Sequence, residues 1–441
     1  MKKRIAWGAL VLSAVLLLSG CAMRTVDQMY ALPRRSDTYN ELQSAIDGAM
    51  IGLEYSAPTA GDNQQTVQMA DLNGDGKDEY LVFARGSTEK PMHILIFRQD
   101  ANGKVKLIET IASSGSAFEQ VVYVDMDDSP GCELVVGRLL SDQVLRSVSV
   151  YTFSKGYAEQ LLSAGYSKFL TCDLNQDKTS ELMVIQPGQS NTRRGVAMLY
   201  SCQNGTMERS REVSLSEDSD SIKRIMTGQL QDGSSAVFVA SSVNENAIIT
   251  DILAMRDQKF TNVSFSFEAG TSVQTLRNYY VYADDVDEDG VMELPSLITM
   301  RSVSNRWNAD KQYLIRWYAL DAEGRETDKL YSFHNFDGGW YLQLDSQWAH
   351  RLTVSQQGNV HSFFIWDVEF QEATPVFTVY GLTGSDQNPQ ETAWNLFTLN
   401  RTEGINFAGK LETGSGLYGI TEDQLINSFR MIHQDWKTGE T

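Results

Sequence analysis

Histidine and cysteine are scarce in this 441-residue chain, at five and four residues. His93, His334, His350, His361 and His433 stand in no H-x-x-x-H or H-E-x-x-H relation, which excludes the helical zinc signatures. Beyond Cys21, the thiols Cys132, Cys172 and Cys202 are odd in number and widely spaced. That excludes a disulfide framework and a cysteine zinc site, and buried single thiols are expected. The chain has no G-x-S-x-G elbow, no phosphate-cradling G-x-x-x-x-G-K and no dinucleotide fingerprint. Basic residues are few, 37 against 57 acids, for a formal net charge of −20. Such a surface repels duplex nucleic acid and an anionic membrane face, so no nucleic-acid partner is expected. Sustained 3.6-residue stripes are missing from the body of the chain, which excludes a helical repeat. What is present is 42% hydrophobic and 10% aromatic residues, enough for a sizeable core.

The N-terminus reads as targeting rather than fold. Lys2, Lys3 and Arg4 precede an apolar run, Ile5 to Leu18, that is short for a membrane span. The run ends in Leu18, Ser19, Gly20 and Cys21. Small residues before a cysteine resemble the lipobox of bacterial lipoproteins. The resemblance implies a signal peptide over 1–20, lipidation at Cys21, and a protein anchored on the extracytoplasmic face of the cell membrane. Removing 1–20 takes away three basic residues and no acids, so the net charge moves to −23. The lipid, not the protein surface, then supplies the membrane contact. Residues 21–36 read as a tether. Tyr39, Leu42, Ile46 and Met50 fall at helical spacing, with Ser36 or Asp37 as the cap.

From Asn63 a different pattern begins: apolar strand, acidic loop, apolar strand. The loops start at residues 71, 125, 173, 229 and 285, steps of 54, 48, 56 and 56. Most steps hold further strand-like runs, such as Ile94 to Phe97 and Val148 to Tyr151. Three or four strands per repeat is the quota of one propeller blade. Later runs, Trp340 to Leu344, Ser362 to Asp367, Val376 to Tyr380 and Trp394 to Thr398, supply further blades. The expected fold is all-β, a propeller of six or seven blades over 63–411 with short helices at both ends. Within 37–62, Met50 to Tyr55 is a candidate closing strand. In 412–441, Thr421 and Gln424 form a capping pair ahead of an apolar stripe of Leu425, Phe429, Ile432 and Trp436.

The loop pattern D-x-[DN]-x-[DN]-G-x-x-[DE], repeated at this spacing, resembles the FG-GAP/VCBS repeats of integrin-α-type propellers. The resemblance is clear from Asn63 to Ile298 and implies calcium held between neighbouring strands of a blade. In the first loop it implies the side chains of Asp71, Asn73, Asp75 and Glu79 with the carbonyl of Lys77. In the fifth it implies Asp285, Asp287, Asp289 and Glu293 with the carbonyl of Val291. The second loop retains Asp125, Asp127 and Glu133, with Ser129 at position five and Pro130 where glycine is wanted. The third offers Asp173, Asn175, Asp177 and Glu181, with Lys178 required to adopt a positive φ. The fourth, Gln229 to Gly233, has lost the acids at its ligand positions, offers only amides at positions one and three, and is expected empty. An EF-hand is excluded, because position twelve is Val82 in the first loop and Ser296 in the fifth, and the flanks are strands.

Enclosure of this kind makes the calcium structural rather than catalytic. The function expected is therefore binding: a monomeric surface scaffold or recognition module for a protein, peptide or glycan. The alternative is a propeller hydrolase or lyase acting on polysaccharide or cell-wall material, using carboxylates that converge in the fold. The aromatic stretch Phe333 to Tyr341, with Trp307, Trp317 and Trp348, is the candidate ligand surface, against a reading in which these rings fill blade-to-blade packing.

Overall fold

The computed structural model describes residues 37–127, 129–140, 145–188, 194–279, 281–301, 312–367, 372–384 and 395–432. Cys21, the tether, Trp307, His433 and Trp436 lie outside the described residues.

Among the described residues the repeat in the sequence becomes six antiparallel sheets, met one after another along the chain. Blade one is built from Val67–Ala70, Glu79–Arg85, Met92–Gln99 and Val105–Ser113. Blade two runs from Ala117–Val124 to Glu159–Gly165, blade three from Lys168–Cys172 to Val213–Ser214, and blade four from Ile222–Gln229 to Lys259–Asn262. Blade five starts at Glu293–Thr299 and blade six at Leu352–Gln357.

Period-two alternation explains why the sheets stack. Successive side chains of a strand point to opposite faces. In Glu133–Leu139, Leu134 and Val136 pack on Phe83 and Ile94 of blade one, while Val135 packs toward Leu182 and Val184 of blade three. In Glu181–Gln186 the division repeats: Leu182 and Val184 face blade two, and Met183 and Ile185 meet Val237 and Leu253 of blade four. Phe238 and Ile252 then join Leu294 and Tyr318, and Leu314 and Phe333 join Phe363 and Phe377. Strands buried on both faces read as continuous apolar runs, and face-to-face stacking of consecutive four- and five-stranded sheets is the β-propeller plan.

Both ends of the chain differ from expectation in detail. Helix α1, Asp37–Ala49, buries Ile46 against Val82, Leu95 and Phe97, covering the face of blade one turned away from blade two. Tyr39 of the expected stripe is exposed. Glu54–Tyr55 does pair, but with Glu79–Arg85, so it adds an edge to blade one instead of completing the last blade. In blade five the strand expected at Val281 to Ala283 is reduced to a single bridge, Asp284 to Glu293. Helix α2, Glu422–Ser428, begins at the expected cap: Gln424 N–H donates to the Thr421 hydroxyl at 3.3 Å, and Thr421 N–H to Gln424 Oε1 at 3.0 Å. It stops at Ser428, because Phe429–Met431 is taken up as a fifth strand beside Trp340–Leu344. Leu425, Phe429 and Ile432 are buried, the last two outside the helix.

Candidate metal loops and ligand cleft

In blades one to four the repeated loop joins the first two strands, and in blade five it leads directly into the first, Glu293–Thr299. Three of the acidic loops share one backbone. Positions four and six are left-handed: Gly74 and Gly76, Gln176 and Lys178, Glu288 and Gly290. The positive φ demanded of Lys178 is present, at 78°. The position-one carboxylate is wrapped by amides of its own loop. Asp75 and Gly76 donate to Asp71 at 3.2 and 2.8 Å, Asp177 and Lys178 to Asp173 at 3.2 and 3.0 Å, Asp289 and Gly290 to Asp285 at 3.0 and 2.9 Å. The position-five carboxylate accepts from position seven: Lys77 to Asp75, Thr179 to Asp177, Val291 to Asp289, at 2.8–2.9 Å. Asn73 and Asn175 accept in the same way from the amide two residues on.

The second loop differs because proline cannot take a positive φ. Gly131 carries the left-handed residue instead, at φ 105°. Ser129 N–H donates to Asp127 at 2.9 Å. Pro130 and Gly131 lie directly on the first loop: a Cβ on Gly74 would sit 2.3 Å from Pro130 Cβ, so glycine is required there for packing as well as for φ. Neighbouring loops are also tied by hydrogen bonds. Ser180 N–H donates to the Asp125 carbonyl at 2.8 Å, Gln176 Nε2 to the Gly233 carbonyl at 2.6 Å, and Met292 N–H to the Gln229 carbonyl at 2.9 Å. The fourth loop is thus a link in this chain of contacts, with Asp232 accepting from Ser234 and Ala322.

Two further regularities run through the set. Position two is apolar and buried in all five loops: Leu72, Met126, Leu174, Leu230 and Val286. In the first four it enters the core cluster shared with the next blade. Position nine, the glutamate, is almost fully buried: Glu79 at 1%, Glu133 at 3%, Glu181 at 2% and Glu293 at 0% exposure. Each accepts the position-two amide at 2.9–3.0 Å.

The second glutamate oxygen separates the loops. Glu79 Oε1 accepts from Asn73 Nδ2 at 3.0 Å and pairs with Arg98 Nε at 2.6 Å. Glu293 Oε1 is buried with no hydrogen-bond partner among the described residues, and Lys329 Nζ stands 4.0 Å away while bonding Asp289 at 2.5 Å. Burial pushes the Glu181 carboxyl up to about 7 and Glu293 up to about 8, and raises Glu133 as well. Ligand atoms of Asp125, Asp127 and Glu133 lie within 4.8 Å of one another, as do those of Asp285, Asp287 and Asp289. A hard dication takes six to eight oxygens and offsets buried carboxylate charge, so these donor sets fit calcium. The orphaned Glu293 oxygen is the sharpest mark of that fit. Arg98 and Lys329 were not singled out from the sequence; only strand register identifies them.

Of the two readings of the aromatic stretch, packing is the one its described rings follow. Trp317, Phe333, Trp340 and Tyr341 are buried, Phe333 meets Phe363 edge-on at 5.1 Å, and Trp340 stacks on Phe429 at 5.3 Å. A different place offers itself to a ligand. A cleft of about 850 Å³ opens between the outermost strands of blades three and four. Its apolar side, Leu199, Met255 and Phe260, continues the core cluster between those blades. Arg211 and Lys259 line it and form no ion pair among the described residues. Phe267, 92% exposed and in edge contact with Phe265 at 5.7 Å, stands among its lining residues. Thr206–Arg209 and Lys259–Asn262 flank it as open strand edges. Cys132, Cys172 and Cys202 are free and half-buried, and burial lifts their thiols to about 12, 12 and 11, out of the reactive range.

No protein-family profile and no curated protein matches the sequence. Among solved structures the chain is similar to the rhamnogalacturonan lyase YesW, at 10% identity over 73% of this chain and 64% of that one, TM-score 0.28. It is similar to a Bacillus licheniformis rhamnogalacturonan lyase at 13% identity, over 73% and 72%, TM-score 0.27. It is similar to the Dos1 propeller at 10% identity, over 81% and 89%, TM-score 0.25. The class of the protein, a β-propeller, rests on its own blade order and packing.

Proposed function

We propose that this propeller is a lipid-anchored, extracytoplasmic binding module, monomeric, with structural calcium in its loops, whose ligand is a protein, peptide or glycan. The observation that carries the reading is the cleft between blades three and four. An exposed phenylalanine beside an apolar floor and two cations without an ion pair among the described residues is the composition of a recognition site. The conspicuous acids, by contrast, are engaged as acceptors inside their loops, which leaves them poorly placed for the hydrolase or lyase chemistry of the alternative reading.

The test is to pass the purified chain over a glycan array and a random-peptide display library in millimolar calcium. Saturable binding that falls at least tenfold in Phe267→Ser is the expected result. Release of cleaved product from any glycan would overturn the binding reading. For the metal, a loop with a dissociation constant of about 0.1 mM in about 1 mM calcium contributes roughly 1.4 kcal/mol. Calcium should therefore raise the melting temperature by several degrees over chelator, and Asp285→Ala should remove part of that rise. An unchanged melt on adding calcium counts against metal in these loops.

A further inference from the structure

We propose that Arg98 is a resident cation that closes the first loop without calcium, and that the residue opposite the ninth-position glutamate decides, blade by blade, which loops take the ion. The inference rests on the calcium reading of these loops and sharpens it. In blade one the register Tyr80 to Phe97 places Arg98 opposite Glu79. The guanidinium meets Glu79 Oε1 at 2.6 Å, the Asn73 amide donates to the same oxygen at 3.0 Å, and Leu72 N–H takes the other at 3.0 Å. Both oxygens of this buried carboxylate accept donors from the chain, two of them on Oε1, and its charge is balanced by the guanidinium. An incoming calcium ion would have to displace both the guanidinium and the amide.

The other blades carry short side chains at the same place. Leu134 pairs with Tyr151, so Thr152 stands opposite Glu133; Leu182 pairs with Tyr200, so Ser201 stands opposite Glu181; Glu293 pairs with Ala319 directly. None of these brings a positive charge. In blade five a cation arrives from the next strand, but Lys329 bonds the half-exposed Asp289 and stops 4.0 Å short of Glu293, whose Oε1 stays unsatisfied. The first loop therefore has the fullest ligand pattern in the sequence and the least need of an ion. The second, third and fifth loops have buried glutamates that an external cation serves.

Calcium titration calorimetry on the purified chain tests this through stoichiometry. Asp71→Ala should leave the number of bound ions and the calcium-induced melting shift unchanged. Arg98→Thr, which copies blade two, should gain one equivalent, and adding Asp71→Ala to it should remove that equivalent again. Arg98→Lys keeps the charge and should gain none. Loss of one equivalent in Asp71→Ala overturns the proposal, as does a folded Arg98→Thr chain that gains nothing. Should Arg98→Thr fail to fold in chelator, the Asp71→Ala and Arg98→Lys counts decide. The calcium reading itself fails separately, if the unaltered chain binds no ion; a gain of one equivalent in Arg98→Thr would still uphold Arg98 as the resident cation.

Discussion

Between pH 7.5 and pH 5 the stability gap between His361→Leu and the parent chain should move by about 2 kcal/mol in favour of the variant. His361 is 2% exposed, and both ring nitrogens are buried without a hydrogen-bond partner among the described residues. Its neighbours are rings: Trp340 lies edge-on at 5.1 Å and Phe333 at 6.3 Å. Burial in this apolar setting lowers the imidazole from its ordinary 6.5 to about 4. The folded state thus holds the ring neutral where the unfolded chain protonates it. Stability from this group is full above pH 6.5 and is lost progressively as the pH falls toward 4. His334, lowered by burial to about 3, extends the same loss to lower pH. Urea unfolding at a series of pH values reads the effect directly. Parallel curves for parent and variant would mean that the ring is solvated in the folded protein.

The fold was largely legible because the blade is a local unit. Each repeat places strand, acidic loop and strand within a short stretch, and pairing between sequence neighbours needs no long-range information. Sheets buried on both faces announced themselves as apolar runs such as Tyr80 to Ala84. What escaped was anything set by register across strands or by competition between elements. Arg98 is 19 residues from Glu79, and only the pairing of Tyr80 with Phe97 brings them together. Phe429 fits a helical stripe in the sequence, yet its backbone is claimed by Trp340–Leu344. The acidic loops are legible by their oxygens, whereas the cleft is not, since Leu199, Arg211 and Phe267 belong to three different segments. One sequence signal does mark the buried network beside that cleft: Asp251, a lone acid inside the apolar run Ile248 to Leu253.

That residue carries the second large effect. Asp251→Ala should destabilise the chain by on the order of 4 kcal/mol, because several buried donors lose their acceptor together. The carboxylate is fully buried in Ala247–Arg256. Its Oδ1 accepts from the Ser216 and Ser272 hydroxyls at 2.6 Å each and from Asn262 Nδ2 at 2.8 Å; its Oδ2 accepts Ser216 N–H at 2.8 Å. Ser272 N–H returns to the Ser216 hydroxyl at 2.8 Å, and the Ser264 hydroxyl lies 2.9 Å from both Ser272 Oγ and Asn262 Oδ1, with one proton to give between them. The acid therefore fastens the last segment of blade three to the outer strands of blade four. Burial raises its carboxyl above the ordinary range, against the opposing pull of these donors. Asp251→Asn is the more telling variant. It keeps the shape but sets an amide donor against a shell composed of donors, so it should lose much of the same stability with no cavity formed. The network also reaches the lining of the cleft, where Asn262 Nδ2 donates to the Ser214 carbonyl at 3.3 Å. Loss of ligand binding should accompany the lower urea midpoint in Asp251→Asn, while Phe267→Ser loses binding at an unchanged midpoint. Equal midpoints for Asp251→Asn and the parent would show that the serines reorient to accept the amide, and would remove Asp251 as the fastening point between these blades.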